Sequence, residues 1–499
     1  MIPSRDPAVS DVPPLERLHN LDAEFLYAED DDAPLHIGCI CTFEGPVPSR
    51  AEVARLFAAK LARVPRYRKR VRFVPLELGR PVWADDPHFD LAYHVRRTAL
   101  PEPGDDAALR ALIGRVMSQR LDRERPLWEV WIVEGLARGQ WALLSKVHHA
   151  MADGISGADL LTTFLDTTRD APLPEVVPWA PAPEPSALTL LRHAAEGARD
   201  DHLGLQRALW DGYLYPLEQA RIAQQRAAGL VELARGLLKT SSGPLQGGVR
   251  RHRYYAHGSA KLADVQCIKK ALGGTLNDVV LAAVAGGYRA LLAHRGADPD
   301  DAVVRSLVPV SVRASDARGV FDNRVSMVFC DLAVRVADPV QRLHVIKAEM
   351  ARLKASHMIE AVAWLNTLGD LMPSALMGSA ARRLARAAHD RPQRSFATVT
   401  TNVPGPRQRL YLLGREMVHW YPYVPIAQGL RVGTAILSYD DELSFGVTAD
   451  YDTVPDVEVI TQGIEETVAA LLAVARADRV QAANDGAREP HGRPAIAAE

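Results

Sequence analysis

The 499-residue sequence contains few cysteines and has almost no net charge. Four cysteines (Cys39, Cys41, Cys267 and Cys330) are too few and too scattered to predict a disulfide framework or a zinc site. Cys39 and Cys41 have the spacing of one strand face, so we expect buried free thiols. Lys and Arg total 59 against 61 Asp and Glu, a net charge of −2. This balance gives no electrostatic case for binding nucleic acid.

Long apolar segments are also missing. No stretch reaches the roughly 18 apolar residues that predict a membrane span, and residues 1–14 lack the apolar run of a signal peptide. We therefore expect a cytoplasmic protein. Peripheral contact with the inner membrane or with lipid droplets is an open alternative. The chain exceeds the ~250–300 residues at which a single core stops growing, so two domains are expected.

Strand and helix patterns mix in both halves, without the regular alternation of a parallel α/β sheet. This mixture favours two α+β domains. Closely spaced prolines between residues 172 and 185 predict a stiff linker, and Pro216 is expected to kink or divide the helical region that follows. The predicted divisions are a mobile extension (1–13), an N-terminal domain (14–170), a Pro-rich linker with a helical connector (171–249), a C-terminal domain (250–475) and a disordered tail (476–499).

Several elements can be predicted locally. Ser49 followed by Glu52 is a capping box that opens a helix to about Val64. Buried strands are predicted over Leu127–Val133 and Trp141–His148. In the second half, the patterns predict a helix over Asn277–Ala293 and a last helix over Pro455–Ala475.

The segment from Lys146 to Gly154 contains the most suggestive chemistry. His148 and His149 end a predicted strand, and Asp153 and Gly154 follow within one turn. One reading is structural, with one histidine buried and the other exposed. A metal site is a second reading, because His149 and Asp153 are four residues apart. The glycines argue against a helix there and no third ligand has a recognisable spacing, so we predict no metal.

General-base catalysis is the third reading. The unperturbed pKa of histidine, about 6.5, lets it take and return protons near neutral pH. Gly154 permits a tight turn. Asp153 would point back into the fold and hold that turn through an Arg or backbone N–H groups, so its expected role is structural.

The motif His148-His149-x-x-x-Asp153-Gly154 resembles the HHxxxDG signature of the chloramphenicol acetyltransferase and condensation-domain superfamily. Other segments resemble bacterial wax ester synthase/diacylglycerol acyltransferases more specifically, and the matches run from about Pro14 to Ala475. These segments are Leu21–Leu26, Pro34–Gly38, Pro126-Leu127-Trp128, Asn277-Asp278, Val308–Arg313, Asn402–Pro406 and Ser438-Tyr439.

The resemblance implies an α+β fold of two pseudo-symmetric chloramphenicol-acetyltransferase-like domains with a tunnel between them. Fatty acyl-CoA would be the co-substrate, with no bound cofactor, and diacylglycerol or a long-chain alcohol the acceptor. His149 would be the general base, with His148 in support. Five residues are predicted to shape the substrate tunnel, namely Asn277, Asp278, Pro126, Leu127 and Trp128.

Alternatives remain at this stage. The same fold could transfer an acyl group from a carrier protein to a complex lipid, or could bind lipid without catalysis. Asn277 could simply cap its helix. The apolar region from Trp210 to Tyr215 could pack on the domains or touch a lipid surface.

Overall fold

A computed structural model of the chain describes residues 15–151, 161–311, 325–371, 383 and 394–487. Its dominant features are two mixed sheets of six strands each. Asp153 and Gly154 lie outside the described residues, as do the predicted extension over 1–13 and the last two residues of Val308–Arg313.

The first sheet contains the predicted histidine strand near its middle. Neighbouring strands are antiparallel except for the last pair, which is parallel. In spatial order the strands are β13 (Tyr411–Leu412), β14 (Arg415–Tyr423), β2 (His36–Phe43), β7 (Trp141–His148), β6 (Trp128–Glu134) and β5 (Val95–Ala99).

The second sheet is built wholly from the later part of the chain. Two of its pairings, β10 with β12 and β12 with β16, are parallel. In spatial order the strands are β11 (Val325–Leu332), β10 (Val304–Ser311), β12 (Thr398–Val403), β16 (Val432–Tyr439), β17 (Glu442–Asp450) and β9 (Arg253–Lys261). The smaller strands are β1 (Glu16–Arg17), β3 (Lys69–Arg72), β4 (Val82–Asp85), β8 (Gln246–Gly247) and β15 (Gly429–Leu430).

Two neighbouring strands from the second half of the chain, β13 and β14, belong to the first sheet. Strand β14 follows β12 in sequence but pairs with β2, so that Trp420 lies opposite Cys41 and Tyr423 opposite Gly38. Trp420 is fully buried in the N-terminal core. A division into two consecutive domains does not describe this exchange.

Helices cover both sheets and connect them. They are α1 (Asn20–Ala28), α2 (Arg50–Lys60), α3 (Leu91–His94), α4 (Asp106–Met117), α5 (Ala187–Leu214), α6 (Pro216–Leu238), α7 (Leu262–Leu272), α8 (Leu276–His294), α9 (Pro339–Ala355), α10 (Met358–Leu371) and α11 (Glu458–Ala487). The predicted capping box of Ser49 and Glu52 is confirmed at α2. The predicted division at Pro216 is also confirmed, because α5 ends at Leu214 and α6 begins at Pro216.

Helix α8 is the centre of the C-terminal core. Its described neighbours include α11, α9, α7 and strand β11, and residues Val279 to Tyr288 are buried without interruption. It is the one described helix long and apolar enough to cross a membrane, and 72% of its most apolar 18-residue window is buried inside the protein. Burial on all sides explains why it lacks a polar face.

Two differences from the sequence analysis concern the C-terminal part. The predicted disorder from residue 476 is wrong as far as Ala487, because α11 continues to that residue. Arg476 pairs with Asp264 at 3.1 Å and Arg479 reaches the sulfur of Cys267 at 3.6 Å, so the extension is held on α7. Strand β9 and helix α7 were not predicted. The buried free thiols of Cys39 and Cys41 are confirmed.

Candidate active site

Strand β7 carries the two histidines into the protein. Strands β2 and β6 pair with its two edges, and all eight of its residues are buried because alternate side chains pack into two different apolar clusters. The backbone N–H of His148 donates to the carbonyl of Leu127 at 2.9 Å, and that of His149 donates to the carbonyl of Leu35 at 2.9 Å. A 3₁₀ turn over His149–Met151 follows directly. The strand end is therefore fixed from two neighbouring segments.

The imidazole of His149 is half-buried and lies against an aromatic ring. Its centroid is 3.7 Å from that of Phe25 on α1, with an interplanar angle of 18°. Burial lowers the pKa of His149 to about 4, helped by the positive charge that His148 can carry. His149 is therefore neutral at neutral pH and able to accept a proton. Its buried Nδ1 has no hydrogen-bond partner among the described residues.

The imidazole of His148 is fully buried and differently held. Its Nδ1 accepts a hydrogen bond from the backbone N–H of Ala150 at 3.0 Å, so the proton of the neutral ring must be on Nε2. That nitrogen faces the carboxylate of Glu29 at 3.6 Å. Burial lowers the pKa of His148, and contact with Glu29 offsets part of the effect. With Nδ1 accepting this hydrogen bond and the proton on Nε2, the neutral His148 ring has no lone pair free to take a proton from a substrate.

Glu29 is the centre of a buried polar cluster. Its side chain is 1% exposed. Its carboxylate oxygens lie 3.3 Å from Nε2 of His36, 3.1 Å from Nη2 of Arg120 and 2.7 Å from Nη2 of Arg123. Burial alone would raise the pKa of Glu29, but the imidazoles of His148 and His36 lower it well below its ordinary value. The carboxylate is therefore ionised.

His36, the second imidazole on Glu29, is also fully buried. It lies edge-on to His148, with ring centroids 5.7 Å apart, on the paired residue of strand β2. Burial lowers its pKa to about 3. The charge of Glu29 is therefore balanced by Arg120 and Arg123 rather than by His36.

Sequence reasoning missed Glu29. It stands in the run Glu29-Asp30-Asp31-Asp32, which has the composition of a solvated acidic loop. Its partners Arg120 and Arg123 are 91 and 94 residues away, so no local pattern reports their contact. The only available signal was its position between the Leu21–Leu26 and Pro34–Gly38 segments that carry the family resemblance.

The predicted tunnel residues of the first half lie beside the histidine strand. Leu127 and Trp128 are fully buried in the N-terminal core, and the indole N–H of Trp128 donates to the carbonyl of Tyr67 at 2.8 Å. The Trp128 ring stacks on His94 with centroids 4.5 Å apart. Through the Leu127 carbonyl, this segment holds the backbone of His148. Its role in shaping a tunnel stays a prediction.

In the second half, Asn277 does not cap its helix. Helix α8 starts one residue earlier, and its N-cap is Thr275, which forms a capping box with Asp278. Asp278 is buried, and its Oδ2 accepts from the N–H of Thr275 at 2.7 Å. Asn277 instead accepts a hydrogen bond from the side-chain amide of Asn402 at 3.2 Å. The two signature segments Asn277-Asp278 and Asn402–Pro406 therefore meet.

Lys146 fixes the strand from the other side. Its buried ammonium donates to the carbonyl of Val116 at 3.0 Å and also contacts that of Gln119. Burial lowers its pKa to about 8. The side chain joins the histidine strand to the end of α4. Among the described residues, no group of three or more His, Cys, Asp or Glu side chains could hold a metal ion.

Comparison with known proteins places this geometry in a family. The family model of the wax ester synthase/diacylglycerol acyltransferase catalytic domain matches residues 18–280, and that of the WS/DGAT C-terminal domain matches residues 321–471. The chain is 38% identical over 468 residues to a probable diacylglycerol O-acyltransferase of Mycobacterium tuberculosis, covering 93% of this chain and 98% of that protein. A protein of the same species named as a putative diacylglycerol O-acyltransferase is 36% identical over 457 residues, covering 90% of this chain and 98% of that protein.

Solved structures agree with this result. The wax ester synthase/diacylglycerol acyltransferase of Marinobacter aquaeolei is 26% identical, with a TM-score of 0.63 over 92% of this chain and 99% of that one. The first condensation domain of the CDA synthetase shares the fold at 14% identity, with a TM-score of 0.54 over 94% of this chain and 97% of that one. The predicted mixed fold of the condensation-domain type is thus confirmed. The chain is an acyltransferase and belongs to the wax ester synthase/diacylglycerol acyltransferase family.

Proposed function

We propose that the protein transfers a fatty acyl group from acyl-CoA to the hydroxyl of diacylglycerol, of a long-chain alcohol, or of both. The observation that carries the proposal is the contrast between the two histidines. His149 is neutral, half-buried and stacked on Phe25, whereas His148 is fully buried and the lone pair of its neutral ring, on Nδ1, already accepts a hydrogen bond from the N–H of Ala150. This leaves His149 as the base of the pair.

In the proposed reaction both substrates are present together and no acyl-enzyme forms. Neutral His149 takes the proton of the acceptor hydroxyl, and the oxygen attacks the thioester carbonyl carbon. The tetrahedral intermediate collapses with breakage of the carbon–sulfur bond, and His149 returns its proton to the CoA thiolate. Proton transfer of this kind contributes roughly 10²–10⁴ in rate, and substrate positioning must supply much of the rest.

The test is the release of free thiol by the purified protein from palmitoyl-CoA, with either diacylglycerol or hexadecanol as acceptor. We expect turnover with at least one acceptor, and a loss of roughly 10²- to 10⁴-fold in His149→Ala. No thiol release with any alcohol would contradict the proposal. The same chain on an acyl carrier protein, offered as donor, tests the carrier-protein alternative.

We also propose that the enzyme is cytoplasmic and contacts a membrane or lipid droplet through the bend between α5 and α6. Leu214 is 60% exposed, Tyr215 59% and Leu217 86%, whereas α6 beyond the bend packs on α10. Exposed aliphatic and aromatic side chains at a helix bend suit insertion into a lipid interface, where an apolar acceptor and product would reside.

Flotation with phosphatidylcholine vesicles or a triacylglycerol emulsion tests this contact. The double variant Leu214→Ser/Leu217→Ser should float less than the wild-type protein. Leu188→Ser is the matched control, because Leu188 is 76% exposed at the other end of α5. Equal flotation of all three proteins would place the contact elsewhere or exclude it.

A further inference from the structure

We propose that Glu29 is a positioning residue that holds the His149 imidazole through three separate connections. None of the comparisons assigns it a role. The inference rests on the proposed function only where turnover is measured, since the connections belong to the folded protein.

The first connection passes through His148. The Nε2 of His148 faces Glu29, and its Nδ1 accepts from the N–H of Ala150, the residue that follows His149 in the 3₁₀ turn. A change in the position or hydrogen bonding of the His148 ring would therefore move the turn that carries His149.

The second connection passes through one residue, Leu35, of the loop before β2. The backbone N–H of Leu35 donates to Glu29 at 3.3 Å, and the Leu35 carbonyl accepts from the N–H of His149 at 2.9 Å. Glu29 thus binds the backbone N–H of Leu35, and the carbonyl of the same residue binds His149.

The third connection is helix α1. Glu29 is the C-cap of this helix, and its N–H donates to the carbonyl of Phe25 at 3.1 Å. Phe25 supplies the ring on which His149 stacks. Arg120 and Arg123 bind the carboxylate from the far side, so the end of α1 is anchored to the segment after α4.

The reaction rate depends steeply on the position of a reacting group, because a misplacement of about 1 Å can lower the rate roughly 100-fold. Glu29→Met removes the carboxylate at similar length. We expect it to lower kcat about 10- to 100-fold with KM for acyl-CoA changed less than about twofold, because the base and not the donor site is displaced.

Histidine-labelled protein gives a readout that needs no turnover. A stacked phenyl ring shifts the carbon-bound ring protons of His149 upfield in NMR spectra, and Phe25→Leu defines the shift without it. We expect Glu29→Met to move the His149 signals towards the Phe25→Leu value. Asp31→Asn is the matched control, because Asp31 pairs with the same Arg120 at 2.8 Å but is 85% exposed.

The outcomes separate the two proposals. If wild-type protein fails to turn over acyl-CoA, the proposed function fails and the NMR comparison still decides the role of Glu29. If the His149 signals in Glu29→Met match the wild type while those of Phe25→Leu move, the positioning role is wrong. Ile460→Val, a mild substitution in the C-terminal core, serves as a control for general destabilisation. If Glu29→Met and Ile460→Val lower the Tm equally and also lower kcat equally, the positioning role is likewise wrong.

Discussion

Phe25 and His149 form a stacked pair with ring centroids 3.7 Å apart. The two residues come from α1 and from the turn after β7, and each is fixed by its own backbone contacts. The pair keeps one face of the imidazole away from water, and that burial is the main cause of its low pKa.

Replacement of Phe25 by Leu should therefore change both the rate and its pH dependence. The smaller side chain exposes the imidazole, so we expect a several-fold fall in kcat and an acid limb that moves from about pH 4 towards 6.5. The measurement is a pH–rate profile of each protein. Phe73→Leu, at an exposed ring near Tyr27, should leave both quantities unchanged.

The wild-type profile itself makes a separate prediction. His149 must be neutral to take a proton, and its pKa is about 4. The value of kcat/KM should thus stay constant from pH 8 to about pH 6 and fall only below about pH 5, as the imidazole becomes protonated. A limb centred near 6.5 would show that His149 is solvated as in a free peptide.

Gly38 on β2 lies close to strand β7 and to the end of helix α4. A Cβ atom there would stand 2.4 Å from the carbonyl oxygen of Ser145 and 3.0 Å from Cε of Met117. Gly38→Ala should lower the free energy of unfolding by roughly 1–3 kcal/mol or more, because the paired strands must separate. Urea unfolding measures this.

Gly204 provides the control for that substitution. It lies in α5, and a Cβ atom added there would have no described atom of a neighbouring segment within 4 Å. Gly204→Ala should therefore stabilise the protein by roughly 0.5–1 kcal/mol. A similar loss of stability in both variants would mean that crowding at Gly38 is not the cause.

The hydrogen bond between Asn277 and Asn402 can be measured by a double-mutant cycle. A single neutral hydrogen bond contributes about 0.5–1.5 kcal/mol. We expect a coupling in that range between Asn277→Ala and Asn402→Ala in urea unfolding. Asn277→Ala combined with the distant Ser49→Ala should be additive within about 0.3–0.5 kcal/mol. Additivity in the first pair would exclude a significant bond.

Local sequence patterns predicted those parts of the fold that depend on local forces. The apolar run of β7 places His148 and His149 at its end, and Ser49 caps α2 as expected. Strand β14 was missed because it contains Pro422 and many half-buried polar residues, and because its partner β2 is remote in sequence. Strand pairing of that kind depends on tertiary packing.

The candidate site likewise has one part that local sequence predicts and another that depends on tertiary contacts. The pair His148 and His149 could be singled out from its residue type and its neighbours in sequence, and the choice of His149 as the base came from the family resemblance. At the start of α8, Thr275 caps the helix because its side chain reaches a free backbone N–H group. Asn277 binds Asn402 instead, a contact that depends on a residue remote in sequence. The burial of Glu29 depends on two arginines contributed by another segment.

The exchange of β14 has a consequence for biosynthesis. Until the ribosome has made the chain as far as Tyr423, strand β2 has only β7 beside it, and its other edge has unpaired backbone groups. An open edge of this kind promotes association with other chains, and pairing over so long a separation is slow to form. The nascent N-terminal half should therefore need protection by chaperones until strand β14 has emerged from the ribosome.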